Sequence, residues 1–336
     1  MGGYLTPAET RITAELIPEY RTQQHATHFA SCSQVNQIFL KADGKISCSC
    51  MRYHHILAEA KDVNMAEFFN GDVMRYIRES FIAGKEPFAF CQGCPSRVSH
   101  YAVMQSTSTV VNLHIEPSSQ CNLFCGVCTC TYERLSDNPP SRRDLDFDLY
   151  AKMLNELNAG KMTIRNIAFV GFGEPLFNSR THDMAALGRR LFPDARLYLD
   201  TNGNFGERRA EEIADCGLNE IRLGIDGIDQ TTYVGYRKNG NFQKAFAFAG
   251  RLAASIRAKG SKTRAIWKYI LFSHNDRDEH VIAAIKMADQ IGIDLIFDTT
   301  VGDLASRRSI EEIRQLAGER GFACNIDPAA FAGSAP

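Results

Sequence analysis

The chain has 336 residues, of which 44% are hydrophobic and 23% are charged. This composition is typical of soluble globular proteins and excludes disorder over most of the chain. Its 38 basic and 39 acidic residues leave a net charge of −1, which argues against nucleic acid or an anionic membrane as a partner. No segment has the roughly 18 apolar residues that a membrane span needs, and the first residues lack the apolar core of a signal peptide. The sequence therefore predicts a cytoplasmic protein.

The first part of the chain is rich in cysteine. After an N-terminal extension over residues 1–30, residues 31–105 hold five of the eleven cysteines. A strand-like piece covers residues 37–46 with a turn at Asp43-Gly44, and apolar residues have helical spacing over residues 65–70 and 72–83. A segment this small cannot build a generous core, so a bound metal or cluster would help to fix it.

From residue 106 to residue 325 the pattern changes to strands that alternate with helices. Apolar, β-branched runs predict strands over residues 110–115, 164–170, 197–201, 221–225, 265–272 and 294–297. Helical spacing predicts helices over residues 149–157, 182–191, 207–216, 242–257 and 278–291. Such alternation indicates an α/β fold with a parallel sheet, and six units rather than eight predict a partial (β/α)6 TIM-like barrel. Residues 326–336 are small and polar, which predicts a disordered tail.

The cysteines are clustered, because eight of the eleven lie between Cys32 and Cys128. The cytosol keeps thiols reduced, so such clusters indicate metal ligands or redox groups. Cys121, Cys125 and Cys128 form a C-x3-C-x2-C motif after the first barrel strand, at the end where active sites of parallel α/β folds collect. Three thiolates can bind three irons of a [4Fe–4S] cluster and leave the fourth open. A zinc knuckle completed by Cys130, or a set of buried thiols, is the alternative.

This cysteine motif, with a Glu-Pro pair before it and an asparagine after its first cysteine, resembles that of the radical S-adenosylmethionine (SAM) superfamily. The sequence Gly-Phe-Gly-Glu-Pro at residues 171–175, after the second strand, resembles the family segment that binds the amino group of SAM. Glycines allow close approach of the backbone, and a carboxylate complements an ammonium group. The resemblance implies contacts to SAM from Gly171, Gly173 and Glu174.

Three further strand ends resemble the superfamily in the same order. A Thr-Asn-Gly turn after the third strand resembles the one near the ribose of SAM. After the fourth strand, an aspartate is followed by an arginine that would pair with the SAM carboxylate, as in the peptide- and sugar-modifying branch. The fifth strand resembles the one whose backbone meets adenine. The SAM-binding residues that these matches imply are Asn202, Asp226, Arg237 and Leu271.

The resemblance also implies the cofactors and the type of reaction. SAM would bind to the open iron of the [4Fe–4S] cluster. An electron from a reductant such as flavodoxin or ferredoxin would cleave it to methionine and a 5′-deoxyadenosyl radical, which abstracts hydrogen from a C–H bond. Two residues depart from the family pattern: Val127 stands where an aromatic residue is common, and Gly224 where a ribose-binding serine is frequent.

The N-terminal cysteines resemble the SPASM and twitch auxiliary-cluster domains, which share a Gly-x-x-x-Cys followed by a Cys-x-x-Cys. In most of that family the domain follows the barrel, whereas here it precedes it. The resemblance implies a second [4Fe–4S] cluster with four ligands: Cys32, Cys48, Cys91 and Cys94. Cys50 can replace Cys48 because both lie on the same side of a strand, and a structural zinc is the alternative metal.

Three functions follow from these patterns. The first is a radical SAM oxidoreductase or epimerase that dehydrogenates or epimerises a small polar molecule, such as a sugar or an aminoglycoside-like compound. The second is a radical SAM enzyme that modifies a peptide. The third is a non-catalytic iron–sulfur or zinc protein, against which the matches at Glu174 and Arg237 argue, because a carrier needs no SAM pocket. Lys268 and Asp298, on predicted barrel strands, are candidates to face the substrate.

Overall fold

The computed structural model describes residues 10–11, 31–32, 36–48, 55–91, 94, 97–98, 110–128, 130–131, 135, 143–300 and 303–319. The predicted tail, Cys50 and most of the N-terminal extension lie outside these residues. Within the described ranges, no helix is long and apolar enough to cross a membrane.

The N-terminal part forms short strands and two helices. Its strands are β1 (Thr10–Arg11), β2 (Ser31–Cys32), β3 (Gln37–Leu40), β4 (Lys45–Ser47), β5 (His55–Glu59) and β6 (Arg97–Val98), and its helices are α1 (Met65–Asn70) and α2 (Asp72–Ile82). The predicted turn is confirmed, since β3 and β4 pair antiparallel around it. Gly44 in this turn has a φ of 83°, in the left-handed region that favours glycine. Both predicted helices are confirmed as well.

The larger part alternates strands and helices, as predicted. Its strands are β7 (Val110–Ile115), β8 (Thr163–Phe169), β9 (Arg196–Thr201), β10 (Glu220–Gly224), β11 (Arg264–Leu271) and β12 (Asp294–Thr299). Its helices are α3 (Phe147–Ala159), α4 (Thr181–Leu191), α5 (Glu207–Ile213), α6 (Gln230–Tyr236), α7 (Phe242–Lys259), α8 (Asp278–Ile291) and α9 (Ile310–Glu319). Neighbouring strands from β7 to β12 pair in parallel and in chain order, which confirms an α/β fold built on a parallel sheet.

Two of these helices were not predicted, and one is shorter than its pattern indicated. α5 ends at Ile213 rather than at residue 216. α6 has no apolar stripe, and local capping marks its start: Thr232 N–H donates to Asp229 Oδ1 at 2.7 Å, and Asp229 N–H donates back to Thr232 Oγ1 at 3.2 Å. The capping pair, rather than hydrophobic periodicity, was the sequence signal for this helix.

Four of the described N-terminal strands belong to the same sheet as β7 to β12, whereas β2 and β6 pair in a second sheet. β3 pairs in parallel with β7, with Gln37 opposite Asn112 and Leu40 opposite Ile115, and β4, β5 and β1 continue the sheet beyond β3. All four residues of β3 are buried, so the hairpin covers the edge of β7 that a partial barrel leaves exposed. The predicted division between residues 31–105 and 106–325 does not include this pairing.

The sheet from β7 to β12 has an apolar face and a polar face. Buried residues such as Leu199, Leu223 and Trp267 alternate along the strands and belong to the same core as the helices. The residues between them point to the opposite side of the sheet. This side, called the polar face below, carries His114, Tyr198, Asp200, Arg222, Lys268 and Asp298 on neighbouring strands.

Candidate functional site

The cysteine loop follows β7 at the edge of the sheet where the other parallel strands also end. Two backbone hydrogen bonds hold it against the residues at the end of α6. Phe124 N–H donates to the carbonyl of Lys238 at 2.9 Å, and Gly126 N–H donates to that of Tyr236 at 3.2 Å. Leu123, which precedes Phe124, is buried. The loop is therefore fixed to the connection between β10 and α7 rather than extended into solvent.

Two of the predicted cluster ligands accept hydrogen bonds from other strand ends. Asn202 Nδ2, after β9, donates to Cys121 Sγ at 3.8 Å, and Arg237 Nη1, after β10, donates to Cys125 Sγ at 3.9 Å. Cys125 is buried, and burial raises the pKa of its thiol while the Arg237 charge opposes the rise. The structure thus brings together four residues that the sequence assigned to one site.

The third thiol, Cys128, lies beside Cys130. A hydrogen bond from the Cys130 thiol is the largest cause that lowers the pKa of Cys128 to about 6. Three thiols on one loop, with N–H donors and a guanidinium beside the sulfurs, make a donor set that fits an iron–sulfur cluster, because such contacts stabilise its negative charge. Within the described part of the chain, no three His, Cys, Asp or Glu side chains gather around the position of a single metal ion.

The loop at residues 171–175 packs directly on the segment before the cysteines, and its glycines are required there. A Cβ on Gly171 would lie 2.5 Å from Glu116 Cγ, and a Cβ on Gly173 would lie 2.0 Å from the carbonyl oxygen of Ser118. Glu174 N–H completes the contact by donating to the carbonyl of Gln120 at 2.7 Å. Close approach between two loops, rather than an unusual φ, explains both glycines.

Glu174 is buried and joins the ends of β8 and β9. Its Oε1 accepts hydrogen bonds from Thr201 Oγ1 at 2.7 Å and Leu176 N–H at 3.1 Å, and its Oε2 accepts one from Asn202 N–H at 2.7 Å. Burial raises the pKa of this carboxyl to about 7, although the hydrogen bonds oppose the rise. A carboxylate has about four acceptor positions, so Oε2 can still accept a further hydrogen bond.

Asp226 and Arg237 form an ion pair that fixes the guanidinium over the end of β10. Arg237 Nε donates to Asp226 Oδ2 at 2.6 Å, and Asp226, which is fully buried, also accepts a hydrogen bond from Ile270 N–H at 2.7 Å. The Asp226 carboxylate raises the pKa of Arg237. A Cβ on Gly224 would lie 2.3 Å from Arg237 Nη2. The glycine that departs from the family pattern is therefore the residue that makes room for this guanidinium.

Leu271 has its side chain fully buried in the apolar core, so only its backbone is available to a ligand. The next residue, Phe272, donates its N–H to Asn275 Oδ1 at 2.7 Å. Asn275 is fully buried, and its Nδ2 donates to the carbonyl of Asp226 at 3.1 Å. Asn275 was not among the predicted site residues, although it ties the end of β11 to the end of β10.

The polar face carries charged residues directly below these strand ends. Lys268 Nζ lies 3.0 Å from Asp298 Oδ2, so the two residues that the sequence offered as candidates to face the substrate form one ion pair. Arg222 and Asp200 lie opposite each other on β10 and β9. Sequence analysis missed these two residues. Alternation along a strand separates its two faces but does not tell which face packs against the helices.

The four predicted auxiliary ligands come from three segments. Cys32 is in β2, Cys48 follows β4, and Cys91 and Cys94 lie in the turn after α2, where Cys94 N–H donates to the carbonyl of Cys91 at 3.1 Å. Burial raises the pKa of Cys91 to about 12, and the nearby thiols of Cys32 and Cys94 add to the rise. Cys32 and Cys48 both pack against the main core.

Comparison with known proteins gives a family match and partial relatives. The model of the Radical SAM superfamily matches residues 115–317. The chain is 27% identical over 147 residues to GTP 3',8-cyclase from Chlorobaculum tepidum, which is 44% of this chain and 42% of that protein. It is 30% identical over 124 residues to a probable GTP 3',8-cyclase from Methanosarcina mazei, which is 37% of this chain and 35% of that protein. The chain thus spans less than half the length of these curated relatives.

Two solved structures that match part of this chain have low sequence identity to it. A radical SAM methyltransferase from Sphaerobacter thermophilus has a TM-score of 0.47 and 14% identity, and the comparison covers 65% of each chain. The structure of anSMEcpe with bound AdoMet has a TM-score of 0.47 and 18% identity, and that comparison covers 65% of this chain and 63% of the other.

Proposed function

The chain belongs to the radical SAM superfamily, and we propose that it abstracts hydrogen from a small polar substrate, a sugar or an aminoglycoside-like compound, to dehydrogenate or epimerise it. As a radical SAM enzyme it uses a [4Fe–4S] cluster and SAM, which when bound supply a 5′-deoxyadenosyl radical. The main support for the proposed site is that Asn202 and Arg237 donate hydrogen bonds to the cysteine loop. These contacts bring the ends of β7, β9 and β10 together.

Cys121, Cys125 and Cys128 hold the cluster in this proposal. Their loop is fixed by backbone hydrogen bonds to the end of α6, so the three thiols have defined positions before any ligand arrives. Burial of Cys125 and of the neighbouring Leu123 keeps bulk water away from the Cys125 sulfur. A low local dielectric in turn strengthens the interaction of this sulfur with the Arg237 charge.

Arg237 binds the carboxylate of SAM. Asp226 holds its Nε and Cys125 accepts from its Nη1, so Nη2 and the second N–H of Nη1 remain for the carboxylate of SAM. The Asp226 carboxylate is itself held by Ile270 N–H, so the arginine is aimed by a rigid strand end rather than by a flexible loop. Preorganisation of this kind lowers the entropy that is lost when SAM binds.

The remaining proposed contacts come from the ends of β8, β9 and β11. Gly171 and Gly173 hold the loop of residues 171–175 against the segment before the cysteines, so that the loop backbone can contact SAM there. Glu174 accepts the ammonium group of SAM on the remaining position of Oε2. The carboxylate also fixes the turn that contains Asn202, near the ribose. Leu271 contributes through its backbone, near adenine.

Residues 31–105 form an auxiliary-cluster segment of SPASM or twitch type in this proposal, and residues 106–325 form the barrel. The support for this site is the Gly-x-x-x-Cys and Cys-x-x-Cys pattern of the sequence, with Cys32 and Cys94 both contributing to the raised pKa of Cys91. The described thiols are not gathered around a single metal ion, so binding would have to draw them together. Cys48 is the proposed fourth ligand, with Cys50 as the substitute. A second [4Fe–4S] cluster held there would exchange an electron with the substrate, whereas a zinc ion would only fix the segment.

The relatives favour a second candidate substrate, a purine nucleotide, because the curated proteins that match in part are GTP 3',8-cyclases. A peptide substrate is the further alternative from the sequence. The electron for the active cluster would come from a small reductant protein such as flavodoxin or ferredoxin. Neither a nucleic acid nor a membrane is a proposed partner, given the net charge of −1.

The test of the proposed function is SAM cleavage by reconstituted protein under anaerobic conditions with a chemical reductant. Wild-type protein should release 5′-deoxyadenosine. The triple variant of Cys121, Cys125 and Cys128 to alanine should lose about four irons and all cleavage. Cys216→Ala is the matched control, because this thiol is buried at the end of α5, outside the site. Cleavage that persists in the triple variant would show that the cluster is held elsewhere.

A further inference from the structure

The polar face holds a carboxylate with one oxygen that has no hydrogen-bond partner among the described residues. Asp200 Oδ1 is buried and accepts no hydrogen bond from any residue that the structure describes. Arg222 Nη1 lies 4.0 Å away, which is beyond hydrogen-bond distance. The Asp200 side chain as a whole is 45% exposed, so the rest of it reaches the open side of the sheet although Oδ1 does not. An ionised carboxylate only accepts hydrogen bonds, so a ligand that satisfies it must bring a donor.

The cations on the same face already have carboxylate partners. Arg222 donates from Nε and Nη2 to Glu220 Oε2 at 3.1 and 2.9 Å, and its guanidinium lies 4.4 Å from the centre of the Tyr198 ring. Lys268 is paired with Asp298. A phosphate group would therefore have to compete with carboxylates for both cations, whereas an ammonium group would be attracted by the Asp200 carboxylate.

Asp200 also lies beside the proposed SAM site. It precedes Thr201 and Asn202 in β9 and its following turn, and these two residues bind Glu174. Asn202 in turn donates to the thiol of Cys121. A substrate group held by Asp200 is thus placed next to the residues proposed to surround SAM, where hydrogen abstraction needs it.

A second unsatisfied group lies deeper on the same face. His114, on β7, is in the row of Ala168 and Tyr198, one row below Asp200. Its Nδ1 is buried and has no hydrogen-bond partner among the described residues. Burial lowers the pKa of the imidazole to about 4, so the ring is neutral near pH 7 and can donate or accept one hydrogen bond. A hydroxyl group is the natural complement of such a ring.

The geometry points to an amine-bearing polyol, such as an amino sugar, as the substrate: Asp200 binds its ammonium group and His114 binds one of its hydroxyl groups. This inference rests on the proposed function, because it specifies the substrate of the same site. It also separates the two candidate substrates. An amino sugar offers an ammonium group to Asp200 and a hydroxyl group to His114, whereas a nucleoside triphosphate has no ammonium group and brings phosphates to a face whose cations are already paired with carboxylates.

The test compares glucosamine with N-acetylglucosamine, which has the same skeleton but no ammonium group. Binding is measured by isothermal titration calorimetry on the anaerobic holoenzyme with SAM bound. Wild type should bind glucosamine in the millimolar range or better, and N-acetylglucosamine about tenfold to hundredfold more weakly, the loss expected for one hydrogen bond to a charged group. Asp200→Asn should bind both sugars equally weakly. Asp194→Asn, in the exposed turn before the same strand, should behave as wild type.

His114→Phe is a second variant and should weaken both sugars by a similar factor of up to about ten, because the hydroxyl contact is common to them. Iron content and SAM affinity report whether each variant is folded. Equal binding of the two sugars by wild type, no glucosamine binding in the millimolar range, or tight GTP binding that Asp200→Asn leaves unchanged would overturn the inference. SAM cleavage in the absence of substrate distinguishes failure of this inference from failure of the proposed function. If wild type releases 5′-deoxyadenosine but does not prefer the amine, only the substrate assignment is wrong.

Discussion

Arg237 shows how one side chain links the proposed cluster to the proposed SAM pocket. Its Nε is held by Asp226 at 2.6 Å, and its Nη1 lies 3.9 Å from Cys125 Sγ. The absence of a Cβ at Gly224 gives Nη2 its place. A lysine cannot satisfy these partners together, because it carries a single ammonium group on a flexible stem.

We expect Arg237→Gln to weaken SAM binding by about 1.5–3 kcal/mol, since it removes a hydrogen bond between charged groups. Iron content should stay at the wild-type value, because the three thiols remain. The loss is measured by equilibrium binding of SAM to wild-type and variant samples that contain the same amount of iron. Arg251→Gln is the control, as Arg251 is exposed on α7 and pairs only with glutamates of α5 in the described structure. Unchanged SAM affinity in Arg237→Gln would place the carboxylate contact elsewhere.

Glu174 gives a prediction for pH dependence. Burial raises its pKa from 4.5 to about 7, so the folded state holds a proton that the unfolded state has already released. Its contribution to stability is complete below pH 4.5 and is lost as the pH rises through about 7. Glu174→Gln cannot ionise, so its stability should fall less over this range, by up to about 3 kcal/mol. Urea unfolding at a series of pH values measures the difference. The exposed Glu67→Gln should keep the wild-type slope, and an identical slope in Glu174→Gln would contradict the prediction.

At the scale of elements, the sequence predicted the parts that depend on local pattern. Strands β7 to β12 have apolar, β-branched runs, and α8 has the predicted bounds because its apolar period ends at Gly292, which has a φ of 70°. The pairing of β3 with β7 joins segments about seventy residues apart, and no local pattern encodes such a partner. α6 was missed because capping, not periodicity, defines it.

The site was predictable to the extent that motifs mark strand ends. Three segments meet because parallel strands end at one edge of the sheet: the cysteine loop, the loop at residues 171–175 and the turn after β9. What the motifs could not give is the role of Glu174 as a buried link between strands, or the unsatisfied Asp200 below it. Both depend on which neighbours surround a side chain, and those neighbours come from distant segments.

Glu116 connects the N-terminal hairpin to the proposed SAM-binding loop. Its side chain is fully buried, its Oε2 accepts a hydrogen bond from Ala42 N–H at 3.0 Å, and its Oε1 accepts one from Phe172 N–H at 2.8 Å. Gly171 leaves the space for this carboxylate. The turn of β3–β4 and the loop after β8 are therefore held by the same residue.

We expect Glu116→Gln to lower the free energy of unfolding by about 1–3 kcal/mol, because the new amide group would turn a donor toward one of the two N–H groups. SAM affinity should fall as well, since Phe172 lies inside the proposed SAM-binding loop. Chemical denaturation and SAM titration of the same samples measure the two effects. Glu67→Gln again serves as the exposed control. Loss of stability with unchanged SAM affinity would mean that the hairpin and the loop are independent.

At the scale of the whole molecule, the described N-terminal segment continues the sheet of β7 to β12. It extends the sheet from β3 onward, and Lys152 of α3 donates to the carbonyls of Ala60 and Val63 at 3.2 and 2.8 Å. Glu156 of the same helix accepts a hydrogen bond from Met65 N–H at the start of α1. Because of these contacts, a metal site in this segment is not the sole source of its order.

The last prediction concerns that metal site. If Cys32, Cys48, Cys91 and Cys94 hold a second [4Fe–4S] cluster, the reconstituted protein should contain about eight irons, and the double variant of Cys91 and Cys94 to alanine should contain about four. The variant should stay folded, since the sheet and α3 hold the segment. It should still cleave SAM, because Cys121, Cys125 and Cys128 form their own site. Substrate turnover should fall much further than SAM cleavage, since a substrate radical would lose its redox partner.

Cys216→Ala is the control for the removal of buried thiols and should keep all the iron, because this cysteine lies outside both predicted clusters. A structural zinc gives a different result: about four irons and one zinc in the untouched protein, and a double variant with unchanged iron. Metal analysis of wild type therefore decides between the two before any variant is made. Four irons and one zinc in a fully reconstituted sample would contradict the second cluster, and the interaction among the thiols of Cys32, Cys91 and Cys94 would then belong to a zinc site.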